Sequence, residues 1–409
     1  MSPRTILGGA AALAVVVLLA GCVPNSPTTA GSSGASSAGL TVAIDDDSCV
    51  VSDSTATAGA VAFALANNGT DVNEFEILAA DKLRIVGEKE NITPGQNITY
   101  TAELEPGTYY TACKFQQIGS PIGQSKFTVT GTTVAASGDE KAQIDKASTN
   151  YVSYVKSQVG ELIPAVNDLV AAYESGDDAK AKSLFASTRV FYERIEPTAE
   201  AFGDLDPKID YREVDAVAEG LDWTGFHRIE KDLWPPAKGA LNADGKSAVL
   251  NWNPSTTAER KAYGDGLVAN VAQLQTLVGT SDFSVSLSDI SNGAIGLLDE
   301  VAKSKISGEE DWWSHTDLTD FQANVEGAQV AYGYVRDIAK AKGNEGAALV
   351  TRIDAAFTNL DEQLATHGSI DKGFVSYEKV TDAQRKELSN AVNALAEPLS
   401  QLTETVLGK

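Results

Sequence analysis

Chemistry in this chain starts with scarce residues. Of 409 residues only three are histidine, and one of them, His227, sits in "GFHRIE" three positions before Glu230. Helical spacing puts both side chains on one face. "YERIEP" spaces Glu193 and Glu196 the same way, and "DLDPKIDYRE" between these segments carries Asp204, Asp206, Asp210 and Glu213. Further on, "SGEEDWWSHTDLTDFQANVEG" adds Glu309, Glu310, Asp311, His315, Asp317 and Asp320. An acid pair on one helix facing a Glu/His pair on another is how carboxylate metal sites are built in helical bundles. The usual order there is Glu-x-x-His; here it is reversed. Two tryptophans and a phenylalanine in "LDWTGFHRIEKDLWPP" predict a buried setting, in which His227 and Glu230 need partners or a metal. Taken singly, each fragment also reads as an ordinary solvated helix face. His315 reads as a cap or surface residue, and His367 lies in a turn with no role assigned.

A second acidic group lies earlier. "NEFEIL" places Glu74 and Glu76 on one face of a strand, and "VGEKENITPG" does the same for Glu88 and Glu90. Carboxylates prefer hard cations such as Fe(III), Mn(II) or Ca(II). Residues 40–131 contain no histidine, and Met1 is the chain's single methionine, so the ligands of a blue-copper site are missing. Cys49 and Cys113 offer sulfur. An oxidising compartment permits a disulfide between them, whereas reduced thiols would admit copper or zinc; spacing does not choose.

These residues must be held by elements of two kinds. From residue 40 to 131, about seven short alternating runs, from "LTVAI" to "SKFTVTG", are punctuated by Asn-Gly, Pro-Gly and Gly. That pattern predicts a Greek-key β-sandwich. After a linker at 132–140 the period changes. Tyr151, Val155, Val159, Leu162, Val166 and Leu169 follow steps of three and four, and so do Leu184, Phe191, Ile195, Ala199 and Phe202. Similar stretches around 267–277, 328–341, 348–364 and 382–407 predict an all-α domain over 141–409. The fold class is therefore multidomain, β then α.

The N-terminus addresses the chain. "MSPRTILGGAAALAVVVLLAGC" has a basic start, a short apolar run and a small-residue processing site, which reads as a signal peptide over 1–21. "LAGC" matches a bacterial lipobox, so Cys22 is expected to be lipidated, followed by a flexible Ser/Thr/Gly/Pro-rich tether over 22–39. The expected location is extracytoplasmic, anchored by lipid to the cell membrane on its periplasmic or cell-surface side. With 32 basic against 56 acidic residues the formal charge is −24. That balance argues against nucleic acid and suits a protein that meets cations. The sequence has no H-E-x-x-H, G-x-S-x-G, P-loop or G-x-G-x-x-G, and no catalytic residue is assigned.

"NEFEIL", "EPGTYYTAC", "YERIEP", "LDPKIDYRE", "TGFHRIE" and "SKISGEEDWWSHTDLTDFQANVEGAQ" together resemble the EfeO-type periplasmic iron-uptake components, over about residues 40–409. The resemblance implies a cupredoxin-like domain followed by an imelysin-like helical domain. It implies a non-enzymatic protein that binds iron (Fe2+ or Fe3+) and works with an iron permease of the Ftr1 type and a secreted haem peroxidase of the dye-decolorizing type. Carried over residue by residue, its helical-domain metal ligands fall on His227, Glu230, Glu193, Glu196, Asp210 and Glu309. Its first-domain site falls on Cys49, Glu74 and Cys113, with Glu88 and Glu90 nearby, where copper or zinc is a further expectation. The lipobox departs from freely periplasmic relatives. Two alternatives compete: a metallopeptidase using His227 and Glu230, although a zinc peptidase needs three protein ligands and a water; and an acidic-polysaccharide-binding protein, which at this charge would need a bridging cation.

Overall fold

A computed structural model describes residues 39–82, 85–117, 119–132, 138–250, 252–303 and 305–408. The expected signal peptide, Cys22, the tether up to residue 38 and most of the linker lie outside the described residues.

The described residues between 40 and 130 form nine strands in two sheets. They are β1 (Leu40–Ile44), β2 (Cys49–Val51), β3 (Thr55–Thr57), β4 (Gly59–Asn67), β5 (Asn73–Leu78), β6 (Ile85–Ile92), β7 (Asn97–Leu104), β8 (Gly107–Phe115) and β9 (Ile122–Thr130). One sheet runs β2-β1-β4-β7 and the other β3-β9-β8-β5-β6. The β1–β4 and β3–β9 pairs are parallel and the others antiparallel. Two strands, β2 and β3, were not expected. Three residues each are too few to show an alternation. The inner faces share a core of Phe63, Phe75, Tyr100 and Phe127, with Phe63 and Phe75 ring centroids 5.2 Å apart. Burying each such side chain contributes roughly 1.5–3 kcal/mol. Cys49 on β2 and Cys113 on β8 form a disulfide that ties the two sheets together, with Cα atoms 5.6 Å apart.

The other described residues are mainly helical, apart from an irregular stretch over 234–256 and a small hairpin at Gly368–Ser369 and Gly373–Phe374. The helices are α1 (Gly138–Ser175), α2 (Asp178–Glu193), α3 (Asp206–Ile209), α4 (Glu213–Glu219), α5 (Gly225–Leu233), α6 (Thr257–Gly279), α7 (Leu287–Lys303), α8 (Asp317–Ala341), α9 (Gly343–Ala365), α10 (Asp382–Leu399) and α11 (Leu402–Leu407). Tyr151, Val155, Val159, Leu162 and Val166 of α1 are buried as their period requires. The stretch expected as one helix through Leu184–Phe202 breaks instead. α2 stops at Glu193, and a 3-10 segment, Glu196–Leu205, begins with Pro197 in its first turn. Proline has no N–H to continue an α-helical ladder and fits a helix start. Helix α6 starts on a capping box between Thr256 and Glu259.

The sandwich docks on the helices. Lys89 of β6 pairs with Asp299 of α7, and Lys114 of β8 reaches Glu219 of α4 at 2.9 Å. The Asn292 amide donates to the Thr101 carbonyl at 3.0 Å. The Glu103 N–H donates to Ser288 Oγ at the same distance.

Candidate metal centre

Helix α5 carries the rare histidine, and its first residue fixes where it stands. Gly225 has φ +84°, and a Cβ there would strike the Ile209 carbonyl at the end of α3. That close seat sets His227 beside Asp210. Aromatic packing of Phe185 and Tyr192 (α2) against Trp234 and Phe226 then fixes α2 against α5.

The His227 ring is buried, and its two nitrogens have different jobs. Nδ1 lies 3.1 Å from Glu230 Oε2. The other Glu230 oxygen accepts the N–H groups of Trp313 at 3.0 Å and Ser314 at 2.7 Å. Glu230 thus uses both oxygens within the protein and orients the ring, as carboxylates do behind metal-ligating histidines. Nε2 is buried with no hydrogen-bond partner. It faces Glu310 Oε1 at 3.5 Å and Asp210 Oδ1 at 3.7 Å. Burial and the Arg189 charge oppose the imidazolium, but the Glu230 hydrogen bond and the nearby Glu310 and Asp210 carboxylates raise its pKa to about 9.

Around this histidine the helices converge buried carboxylates on two buried cations. Arg189 of α2 holds Glu193 at 2.5 Å, Asp320 at 2.8 Å and Glu310 at 3.2 Å, bonds Asp210 and lies 3.6 Å from Asp311. Lys305 Nζ lies 2.6 Å from Glu196 and 3.5 Å from Glu193. On α8, Asp317, Asp320 and Asn324 recur at helical spacing, and Asn324 donates to Glu193 and Glu196 at 2.9 and 2.5 Å. Burial opposes ionisation of Glu310, but Lys305 and His227 hold it well below the usual carboxylate range. Burial and the Glu230 charge push Asp311 well above that range. Three groups here, Asp210–His227–Glu310, His227–Glu230–Asp311 and Glu193–Glu310–Asp320, each bring ligand atoms within 4.8 Å of one another. One imidazole nitrogen among carboxylate oxygens suits a hard or borderline cation, iron included.

On the sandwich, β5 alternates as expected. Phe75 and Ile77 enter its core, so Glu74 and Glu76 take the opposite face. Register pairs Glu76 with Glu88, and Glu74, Glu88 and Glu90 form a fourth close group. Far from being solvated, Glu74 and Glu76 are 3% and 2% exposed. Burial and the Glu76 charge push the Glu74 carboxyl well up. This face and the helical carboxylates line one cleft of about 1760 Å3, which includes Glu88, Glu196, Glu200, Asp210 and Glu310.

Two expectations are corrected. Cys49 and Cys113 were carried over as ligands beside Glu74, with copper or zinc as a further expectation there. Their sulfurs are bonded to each other, and Cys113 pairs with Phe75 on the core side of the sheet. The period of two turns sulfur and the Glu74 carboxylate to opposite faces, so the bonded cysteines do not join Glu74 in one ligand set. Glu309 was carried over as a ligand of the helical site. It pairs instead with Arg212 at 2.8 Å, and its neighbour Glu310 enters the pocket. Of the other expected residues, His227, Glu230, Glu193, Glu196 and Asp210 meet in one place, and Glu74, Glu88 and Glu90 in another. Sequence reasoning missed Arg189, Lys305, Asn324 and Glu200; only the i,i+4 spacing of Arg189 and Glu193 could have signalled one of them.

Comparison with known proteins agrees with this architecture. The family model described as Imelysin matches residues 147–402, and that of the cupredoxin-like domain matches 11–124. Proteins described as "Iron uptake system component EfeO" from Escherichia coli K12, Escherichia coli O157:H7 and Shigella flexneri are each 38% identical over 363 residues. The alignment spans 88% of this chain and 89% of theirs.

Proposed function

The chain belongs to the imelysin family in its EfeO-type form, with a cupredoxin-like domain ahead of the helices, and from that premise we propose that it captures iron outside the cytoplasm and hands it to a membrane iron permease. The observation that carries this reading is the buried Nε2 of His227, which makes no hydrogen bond, is aimed at Asp210 and Glu310 and is oriented from behind by Glu230. His227, Asp210 and Glu310 would hold the ion, with Glu193 and Asp320 adjoining. Glu74, Glu88 and Glu90 would hold a second hard cation across the cleft. Under this reading Cys22 carries the lipid anchor, and a secreted haem peroxidase of the dye-decolorizing type is a further partner. Among the described residues no helix is long and apolar enough to cross a membrane.

A peptidase reading is weaker, because no close group of ligand atoms among the described residues contains a second histidine. Polysaccharide binding would use the same acids through a bridging cation.

The test is competitive loading of wild type, His227→Ala and Glu74→Gln/Glu88→Gln with Fe(II), Fe(III), Zn(II) and Ca(II). Tight iron binding that His227→Ala weakens about 100-fold supports the proposal. Equal weak binding in all proteins would sink it, peptide hydrolysis by wild type would favour the peptidase, and calcium-dependent glycan retention would favour the third reading.

A further inference from the structure

Lys305 opens a short 3-10 turn, Lys305–Ser307, and is 2% exposed. Its ammonium lies 2.6 Å from Glu196, 3.5 Å from Glu193, 3.7 Å from Glu310 and 3.9 Å from Glu300. Four carboxylates around one ammonium make a cage of oxygens, which is the coordination a hard cation takes. An ammonium buried this deeply persists only where acids surround it.

The cage is not separate from the metal groups. Glu193 and Glu310 belong to the group with Asp320, and Glu310 also to the group with His227. The same Glu310 Oε1 lies within 4 Å of both Lys305 and His227 Nε2. Glu196, Glu300 and Glu310 line the cleft, so the ammonium stands where the cleft meets the pocket. A divalent ion bound to Glu310 and a lysine paired with Glu310 compete for one negative charge.

We propose that Lys305 is a tethered counter-cation. It neutralises the cage when no metal is bound, yields Glu196 and Glu310 to an ion arriving from the cleft, and takes them back when the ion leaves. It is a positioning residue that lowers affinity and speeds release, which a protein that must give up its cargo requires. The proposal rests on the reading of this pocket as a cation site.

The test uses Mn(II), which needs no redox control, on the full chain. Lys305→Gln should bind Mn(II) about tenfold tighter or more and lose it more slowly to a chelator. Lys305→Arg, which keeps the charge, should stay near wild type. Removing a positive charge should also help Tb(III) more than Mn(II). A folded Lys305→Gln that binds Mn(II) no tighter than wild type overturns the proposal. Should that variant not fold, amine acylation of wild type decides. Mn(II) should raise labelling of Lys305, read by mass spectrometry, and unchanged labelling counts against displacement. If wild type binds no metal, the cation-site reading has failed. Lys305→Gln then still discriminates, since gained binding supports the counter-cation and continued absence rejects it.

Discussion

His227 gains its chemical identity from neighbours on three separate segments. Glu230 holds Nδ1 and leaves Nε2 to face Asp210 and Glu310. Because its pKa is raised to about 9, the metal-free ring carries a proton at neutral pH, and a metal must displace it. Affinity for Mn(II) should therefore rise with pH from 7 to 9, by up to about tenfold per unit, and flatten above. Titration calorimetry in buffers of different ionisation enthalpy would count the released proton; a pH-independent affinity would mean that His227 is not a ligand. Glu230→Gln, which keeps the side chain's shape, should weaken binding by about 10- to 100-fold, less than His227→Ala. Arg189 is fully buried among five carboxylates. Its replacement by methionine removes the cation those five acids share and should cost about 3–5 kcal/mol, read by chemical denaturation without metal. Added Mn(II) should recover part of the loss.

At the scale of elements, the disulfide and one glycine do separable work. Cys49 and Cys113 join strands of opposite sheets, 64 residues apart in sequence. Replacing both by alanine should cost about 2–4 kcal/mol and lower the thermal midpoint, while Mn(II) stoichiometry stays unchanged because the sulfurs face the core. Loss of one bound ion in that variant would show that the cysteines serve the sandwich site after all. Gly225→Ala would push α5 off the Ile209 carbonyl and move His227 from Asp210. Metal affinity should fall further than stability does. The break at Pro197 is of the same kind: it ends a helix that the apolar period would have continued and lets Glu196 meet Lys305.

For the whole molecule, the cleft between sandwich and helices concentrates acid. Burial raises the pKa of Asp206 to about 7, against a Tyr192 hydrogen bond that opposes the rise. Burial pushes Glu300 to about 8. A carboxyl whose folded pKa is raised contributes stability that is full below its unfolded value and lost as pH climbs through the folded one. His227 has the same sign, lost through about 9. The metal-free protein should therefore be most stable near pH 5 and lose several degrees of midpoint by about pH 9. Saturating Mn(II) should flatten that decline, and a metal-free midpoint that rises from pH 5 to 9 would contradict the cleft's electrostatics.

Alternating runs, a change of period near residue 140 and clustered Asp, Glu and His were enough to determine a β domain, an all-α domain and the segments that converge on the pocket. Those signals are local, and periods of 2 and 3.6 are visible in any window of ten residues. The resemblance supplied the ion to expect. Only the tertiary structure decided which acids enter the pocket. Glu309 and Glu310 are adjacent in sequence, and a backbone turn sends one to Arg212 and the other to His227. It also decided that the cysteines pair on the core face, because β2 and β8 meet only when two sheets pack. Arg189 and Lys305 were illegible for the same reason. A buried cation is defined by the carboxylates around it, and those come from helices far apart in the chain.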